Sequence, residues 1–182
     1  MATFEKGFPK KMTTQEIEIA AENVLEKNNV RAAPVPVEDI ARKESILIGQ
    51  ADGKNISGVL LRKQGVAYIA LNSKEPPLRQ RFTLAHEMGH YFLHPGKNTF
   101  VEFRDNKDKE REEVVRSPKE IEANKFAAAL LMPRKLVLKD LASFSESGVS
   151  ANQLALLANK YQVSEKAMSY RLINLNNTSL PS

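Results

Sequence analysis

The residues of this 182-residue chain with the clearest chemical potential lie in one short stretch, where His86 and His90 enclose Glu87 in an H-E-x-x-H pattern. On an α-helix, residues four positions apart share a face, so the two imidazoles can bind one metal ion. Glu87 lies too far round the helix to join them, but it is well placed to contact water activated by the metal. The alternative is a pair of core-facing histidines beside a solvated glutamate. We favour a metal site because all three histidines of the chain lie between residues 86 and 94.

The surrounding residues predict a helix independently of the motif. One stripe at helical spacing contains Phe82, His86, Gly89, His90 and Leu93. Two prolines at 76–77 precede the stripe, where proline favours a helix start, and Pro95-Gly96 follow it, where a helix ends. Gly89 has no side chain, so it allows another element to approach this face closely.

A catalytic zinc site needs a third protein ligand beside an open position for water. The chain has no cysteine, so the donors must be nitrogen and oxygen. His94 is excluded as that ligand, because it lies eight residues beyond His86 and therefore on the order of 12 Å along the helix axis.

A carboxylate from a second helix is the other solution. An alanine-rich segment predicted to be helical over 118–132 offers Glu120 and Glu122. We prefer Glu120, because Asn124 follows on the same face and can orient a ligating histidine. Glu122 remains the second candidate, and both residues also suit a plain first helical turn, where the helix dipole favours acids.

The rest of the chain predicts an α+β fold. The residues at 13–16 are typical of a helix start, with a hydroxyl cap and an early acid. Three short apolar runs at 45–49, 56–61 and 66–71 are separated by turn residues. Runs so closely spaced predict a small antiparallel three-stranded sheet, packed on helices that include the H-E-x-x-H helix.

The last third is predicted to be helical. Residues 145–175 show a weak helix-turn-helix-like spacing, with Lys166 and Arg171 on the second helix, but a plain helical hairpin is the preferred interpretation. The charged segment 102–119 indicates a solvated connection, with a lid over the metal as the alternative. The ends, 1–12 and 176–182, are predicted to be flexible.

Composition fits one cytoplasmic domain. Hydrophobic residues make up 42% and charged residues 27% of the chain, and no apolar run is long enough for a membrane span. The N-terminus does not match a signal peptide. The net charge of +5 is scattered, so nucleic-acid binding is allowed by the charge but is not expected as the main role.

Two segments together resemble the ImmA/IrrE family of metallopeptidases: 81–94, RFTLAHEMGHYFLH, and 120–133, EIEANKFAAALLMP. Residues 69–72 and 163–172 also fit. The resemblance implies a gluzincin-like site with one Zn²⁺ per chain. It implies the following roles: His86, His90 and Glu120 as ligands and Glu87 as general base.

The resemblance also implies a zincin-like peptidase domain over 13–139 and a protein substrate, a helix-turn-helix repressor of a mobile element or stress response. Many members carry an N-terminal repressor-type DNA-binding domain, for which this chain has no room, so we expect a stand-alone protease. The alternative function is a non-proteolytic, metal-containing regulator that binds repressor or DNA through residues 145–175. Glu87 argues against that alternative, because a structural metal site does not need it.

Overall fold

The computed structural model describes residues 11–52, 56–96, 99–103, 117–144 and 148–177. Within these ranges the chain forms seven helices and four strands. The helices are α1 (Thr14–Lys27), α2 (Val37–Lys43), α3 (Pro77–Leu93), α4 (Pro118–Leu131), α5 (Arg134–Leu141), α6 (Ala151–Tyr161) and α7 (Glu165–Asn177). The strands are β1 (Ile46–Ala51), β2 (Ile56–Lys63), β3 (Val66–Asn72) and β4 (Thr99–Phe103). The α+β class is confirmed.

The first helix begins where the sequence predicts. Thr13 and Glu16 form a reciprocal capping box, which satisfies backbone donors that have no partner inside the helix. The face of α1 that packs inward is apolar and consists of Ile17, Ala21, Val24 and Leu25. This face lies against α4, so α1 supports the helix that carries Glu120.

The sheet differs from the prediction, because it is mixed and four-stranded with the order β1-β3-β2-β4. A tight hairpin joins β2 to β3 through Gln64 and Gly65, both at positive φ, and these strands pair antiparallel as expected. However, β1 pairs parallel to β3, on its far side. The prediction of three antiparallel strands is therefore wrong. β4, which the sequence reasoning did not identify, fills the other edge of β2.

Helices α3 and α4 cross at a point where glycine is required. A Cβ added to Gly89 would lie 3.0 Å from Ala123 Cα and 3.1 Å from Ala123 O. The two backbones can approach this closely because Gly89 has no side chain, as the sequence suggested. This contact holds the N-terminal half of α4 against the histidine-bearing face of α3.

An ion pair with a buried arginine links the C-terminal helices to the rest of the molecule. Arg171 on α7 is 5% exposed, and its Nε donates to Met132 O at 2.9 Å. Its guanidinium also pairs with the Glu18 carboxylate on α1. Arg171 is therefore a structural residue and does not present its charge to solvent.

Some expectations fall outside the described residues. Positions 104–116 of the charged segment, 1–10 and 178–182 are among them, so the connection, the lid alternative and most of the two ends stay predictions. The domain division at 13–139 and 145–175 also stays a prediction. Among the described residues, no helix combines the length and apolar character needed to cross a bilayer.

Candidate metal centre

Two imidazoles of α3 meet in the interior of the molecule. His86 and His90 are each 1% exposed, and their Nε2 atoms lie 3.1 Å apart. Their rings stand edge-to-face at an interplanar angle of 78°. Helical spacing of four residues produces this arrangement, since it places both side chains on the same face, one turn apart.

Glu120 from the first turn of α4 completes a triangle of donor atoms. Its Oε2 lies 3.0 Å from His86 Nε2 and 3.3 Å from His90 Nε2. A tetrahedral zinc ion bound at about 2.0–2.1 Å places its ligand atoms about 3.3 Å apart. The three separations agree with this spacing. The residues therefore fit a zinc ion, with nitrogen and carboxylate donors and no thiolate.

Hydrogen bonding alone satisfies this triangle poorly. Each of its three edges would need its own proton, and a neutral imidazole carries just one N–H. A shared cation satisfies all three lone pairs at once. In the part of the chain that the structure describes, these three residues form the group of histidine and acidic side chains that could hold a metal ion, with donor atoms within 4.8 Å of one another.

The protonation states in the site also suit a cation. Burial lowers the pKa of His90 to about 4, and the hydrogen bond to Glu120 only partly opposes this shift. Burial acts to raise the pKa of Glu120, but its contacts with the imidazoles of His86 and His90 outweigh burial and lower that pKa to about 2. At neutral pH the site therefore combines a neutral imidazole with an ionised carboxylate, the forms that bind metal.

The amide of Asn124 fixes the orientation of one imidazole. Asn124 Oδ1 lies 3.0 Å from His86 Nδ1. A carbonyl oxygen only accepts, so Nδ1 of His86 carries the proton and Nε2 keeps its lone pair for the site. The sequence reasoning had assigned Asn124 to this position from its spacing to Glu120.

Glu87 follows His86 on α3 but does not belong to the donor triangle. The residue is fully buried on α3, and its Oε1 lies close to Gly58 of β2. A Cβ added to Gly58 of β2 would lie 3.3 Å from Glu87 Oε1 and would overlap Thr83 Cγ2. Glycine at position 58 therefore leaves the space that the side chains of Thr83 and Glu87 need against the sheet. No feature of the sequence had singled out Gly58.

His94 and Glu122, which the sequence reasoning placed outside the ligand set or second to Glu120, contact each other. His94 Nε2 lies 2.9 Å from Glu122 Oε2, and His94 Nδ1 lies 3.0 Å from His90 Nδ1. Phe100 of β4 stacks on the His90 ring at a centroid distance of 4.0 Å. The sequence feature that could have predicted the contact between His94 and His90 was the repeated spacing of four residues from His86 to His90 to His94.

Known proteins are similar to this chain in sequence and in fold. The model of a peptidase family described as the IrrE N-terminal-like domain matches residues 41–173, which include all the site residues. The chain belongs to this ImmA/IrrE family. It is 38% identical over 105 residues to the Radiation response metalloprotease IrrE of Deinococcus radiodurans, a match that covers 57% of this chain and 30% of that protein.

Two further proteins extend the likeness. The chain is 29% identical over 118 residues to the Metallopeptidase ImmA of Bacillus subtilis, covering 63% of this chain and 66% of that one. The chain thus spans less than two thirds of the length of these relatives. A solved Mycobacterium tuberculosis transcriptional regulator superimposes with a TM-score of 0.56 at 15% identity, over 87% of this chain and 46% of that one, and so shares the fold.

Proposed function

We propose that this protein is a zinc-dependent endopeptidase of the gluzincin type. The observation that carries the proposal is the triangle of donor atoms from His86, His90 and Glu120, with the fully buried Glu87 next to His86 on the same helix. Family membership supports a peptidase, and the donor set supports one Zn²⁺ per chain. Two nitrogens and a carboxylate also suit manganese or iron, so zinc is part of the proposal.

Each residue has a defined role in the proposed reaction. His86, His90 and Glu120 hold the metal, and Asn124 holds the His86 ring in the correct tautomer. When bound, zinc supplies a Lewis acid that polarises the scissile carbonyl and lowers the pKa of water toward about 7. Glu87 accepts the proton of the attacking water and then donates it to the nitrogen of the departing amine.

The proposed substrate is a helix-turn-helix repressor, cut at a specific peptide bond in the cytoplasm. The family resemblance supports this substrate. We propose that residues 13–139 form the catalytic, zincin-like domain and that 145–175 form a helical segment docked on it through Arg171. Cleavage of a repressor would make the protein a regulator of transcription without direct contact to DNA.

The test pairs the full chain with the repressor encoded nearest to it. The two are incubated with zinc, with excess chelator, and with the variant Glu87→Gln, and the repressor mass is followed. We expect one new cut, seen with zinc and the native glutamate. Glu87→Gln should retain zinc and lose turnover by about 10²–10⁴-fold, the usual contribution of a general base. Full activity in this variant would refute the role of Glu87.

The alternative, a regulator that binds DNA through its C-terminal helices, is less well supported. Of the two basic residues assigned to that role, Arg171 is buried against Met132 and Glu18. Lys166 is exposed but is a single charge. An uncut repressor that still co-purifies with the protein would favour this alternative.

A further inference from the structure

We propose that His94 and Glu122 form a positioning relay, which sets the tautomer and orientation of His90 toward the metal. The relay runs from a backbone N–H through a carboxylate and an imidazole to a proposed zinc ligand. This inference rests on the proposed zinc site and assigns two residues to it that bind neither metal nor substrate.

The relay is a continuous series of contacts that joins the segment before α1, helix α4 and the C-terminal end of α3. Met12 N–H donates to Glu122 Oε1 at 2.8 Å, and Glu122 Oε2 lies 2.9 Å from His94 Nε2. The other nitrogen of His94, Nδ1, lies 3.0 Å from His90 Nδ1. His94 and Glu122 are each 5% exposed, so water competes little for these hydrogen bonds.

The chemistry of these groups determines which atom donates and which accepts in each hydrogen bond of the relay. A carboxylate only accepts, so His94 Nε2 must carry the proton that lies between His94 and Glu122. A neutral His94 then has a lone pair on Nδ1, which accepts from His90 Nδ1–H. His90 therefore keeps its own lone pair on Nε2, the atom that faces His86 and Glu120.

The opposite direction is incompatible with the site. It would require a proton on Glu122 and would place the His90 proton on Nε2, between the donor atoms of the triangle. The relay therefore gives His90 what Asn124 gives His86, namely a fixed proton on Nδ1. Such partners typically contribute about 10–100-fold in metal affinity.

Packing restricts the same rings. The Phe100 ring stacks on the His90 ring at a centroid distance of 4.0 Å and an interplanar angle of 19°, and its centroid lies 5.7 Å from that of the His94 ring. The stack prevents large rotation of either ring, whereas the hydrogen bonds decide which nitrogen carries the proton. A substitution that preserves ring shape thus separates the two effects.

The isosteric variant Glu122→Gln tests the direction of the relay. The glutamine oxygen can accept from Met12 N–H or from His94 Nε2–H, but its NH₂ group then faces the other donor. If the NH₂ faces His94, it favours the His94 tautomer that places a proton on His90 Nε2. His94→Phe is the second variant, because it keeps a ring against Phe100 and removes both hydrogen bonds.

Glu75→Gln is the matched control. Glu75 is another buried carboxylate, bonded to Ser57 at the start of β2 and paired with Arg79 near the start of α3. The same atom replacement there removes a buried charge without touching the relay. Its zinc affinity should stay within about twofold of the native value, whatever happens to its thermal stability.

Zinc affinity of the full chain is measured by competition with a chromophoric chelator, and folding of each variant is followed by thermal melts in excess chelator. We expect Glu122→Gln and His94→Phe to lose about 10–100-fold in zinc affinity. Native affinity in both folded variants would overturn the relay. Failure of the native protein to bind zinc would overturn the proposed zinc site, and the relay with it.

Tautomers give a readout that a merely structural role would not change. The chain has three histidines in all, so ¹H–¹⁵N spectra of histidine-labelled protein report this site alone. In the zinc-loaded native protein we expect the proton of His90 on Nδ1 and that of His94 on Nε2. Glu122→Gln should disturb the His94 pattern, while Glu75→Gln should not. A proton on Nδ1 of native His94 would contradict the relay.

Discussion

Gly89→Ala tests whether the close contact between α3 and α4 builds the site. The added Cβ would lie 3.0 Å from Ala123 Cα, 3.1 Å from Ala123 O and 3.3 Å from Ala123 Cβ. Carbon atoms prefer separations of about 3.5–4.0 Å, so the helices must move apart by roughly 0.5 Å. Two of these three atoms belong to the α4 backbone, which cannot rotate away as a side chain can.

Two opposing effects set the size of the stability change. Overpacking costs about 1–3 kcal/mol, whereas alanine gains about 1 kcal/mol over glycine in a helix. We expect a net loss of about 1 kcal/mol, which lowers the melting temperature by about 2–4 °C in a chain of this length. The larger consequence is for zinc, because Ala123 lies one turn from Glu120, and the Glu120 Oε2 atom must stay within about 0.5 Å of its place.

Thermal melts in excess chelator measure the change in stability, and competition with a chromophoric chelator measures the change in zinc affinity. We expect zinc affinity to fall by roughly tenfold or more, the usual scale for disturbed ligand orientation. Gly49→Ala is the matched control, because a Cβ at Gly49 meets nothing within 4 Å. A Gly89→Ala protein that is more stable than the native one and binds zinc as tightly would refute the reasoning.

The remaining predictions concern the C-terminal helices and the wall of the site. Arg171→Met should cost about 3 kcal/mol, because loss of one partner of a buried pair leaves the Glu18 carboxylate, itself 25% exposed, without its cation. The exposed Lys166→Met should change stability by less than about 0.5 kcal/mol, with both variants measured by urea titration. Equal losses would contradict the assignment of Arg171 as a structural residue. Gly58→Ala should lower peptidase turnover more than zinc affinity, since the new Cβ overlaps Thr83 Cγ2 and lies 3.3 Å from Glu87 Oε1, and its three nearest atoms include none of the donor triangle. Equal losses in both assays would show that Gly58 supports the whole site instead.

Local sequence patterns predicted the helices that carry the site because those signals act over a few residues. Proline at the start of α3 and Pro95-Gly96 after its end determine its limits within one or two residues. Ser117 caps α4 through the Glu120 N–H, as the Ser-Pro pair indicated. The small residues Gly89 and Ala123 indicated the close contact, because side-chain size limits how closely two helices approach.

The order of the strands could not be predicted, for a physical reason. In the predicted meander and in the observed sheet alike, β1 and β3 point the same way and β2 points the opposite way. Turn residues after β1 report the reversal of direction, and this reversal is common to both arrangements. The pairing partner of β1 depends on which edge of the hairpin β4 occupies, and β4 lies far along the chain.

The two carboxylates of α4 show why ligand assignment needed three dimensions. Glu120 and Glu122 are two residues apart, so a helix directs them to different sides. Spacing alone favoured Glu120 as the ligand but could not exclude Glu122. The structure places Glu120 at the Nε2 atoms of His86 and His90, and Glu122 at His94, one turn further along α3. From the sequence, His94 was considered only as a metal ligand and was excluded because of its distance from His86 along the helix axis. The helical turn between His90 and His94 carries His94 away from the donor triangle and places it beside Nδ1 of His90. This nitrogen is free for a hydrogen bond when His90 uses Nε2 to bind the metal.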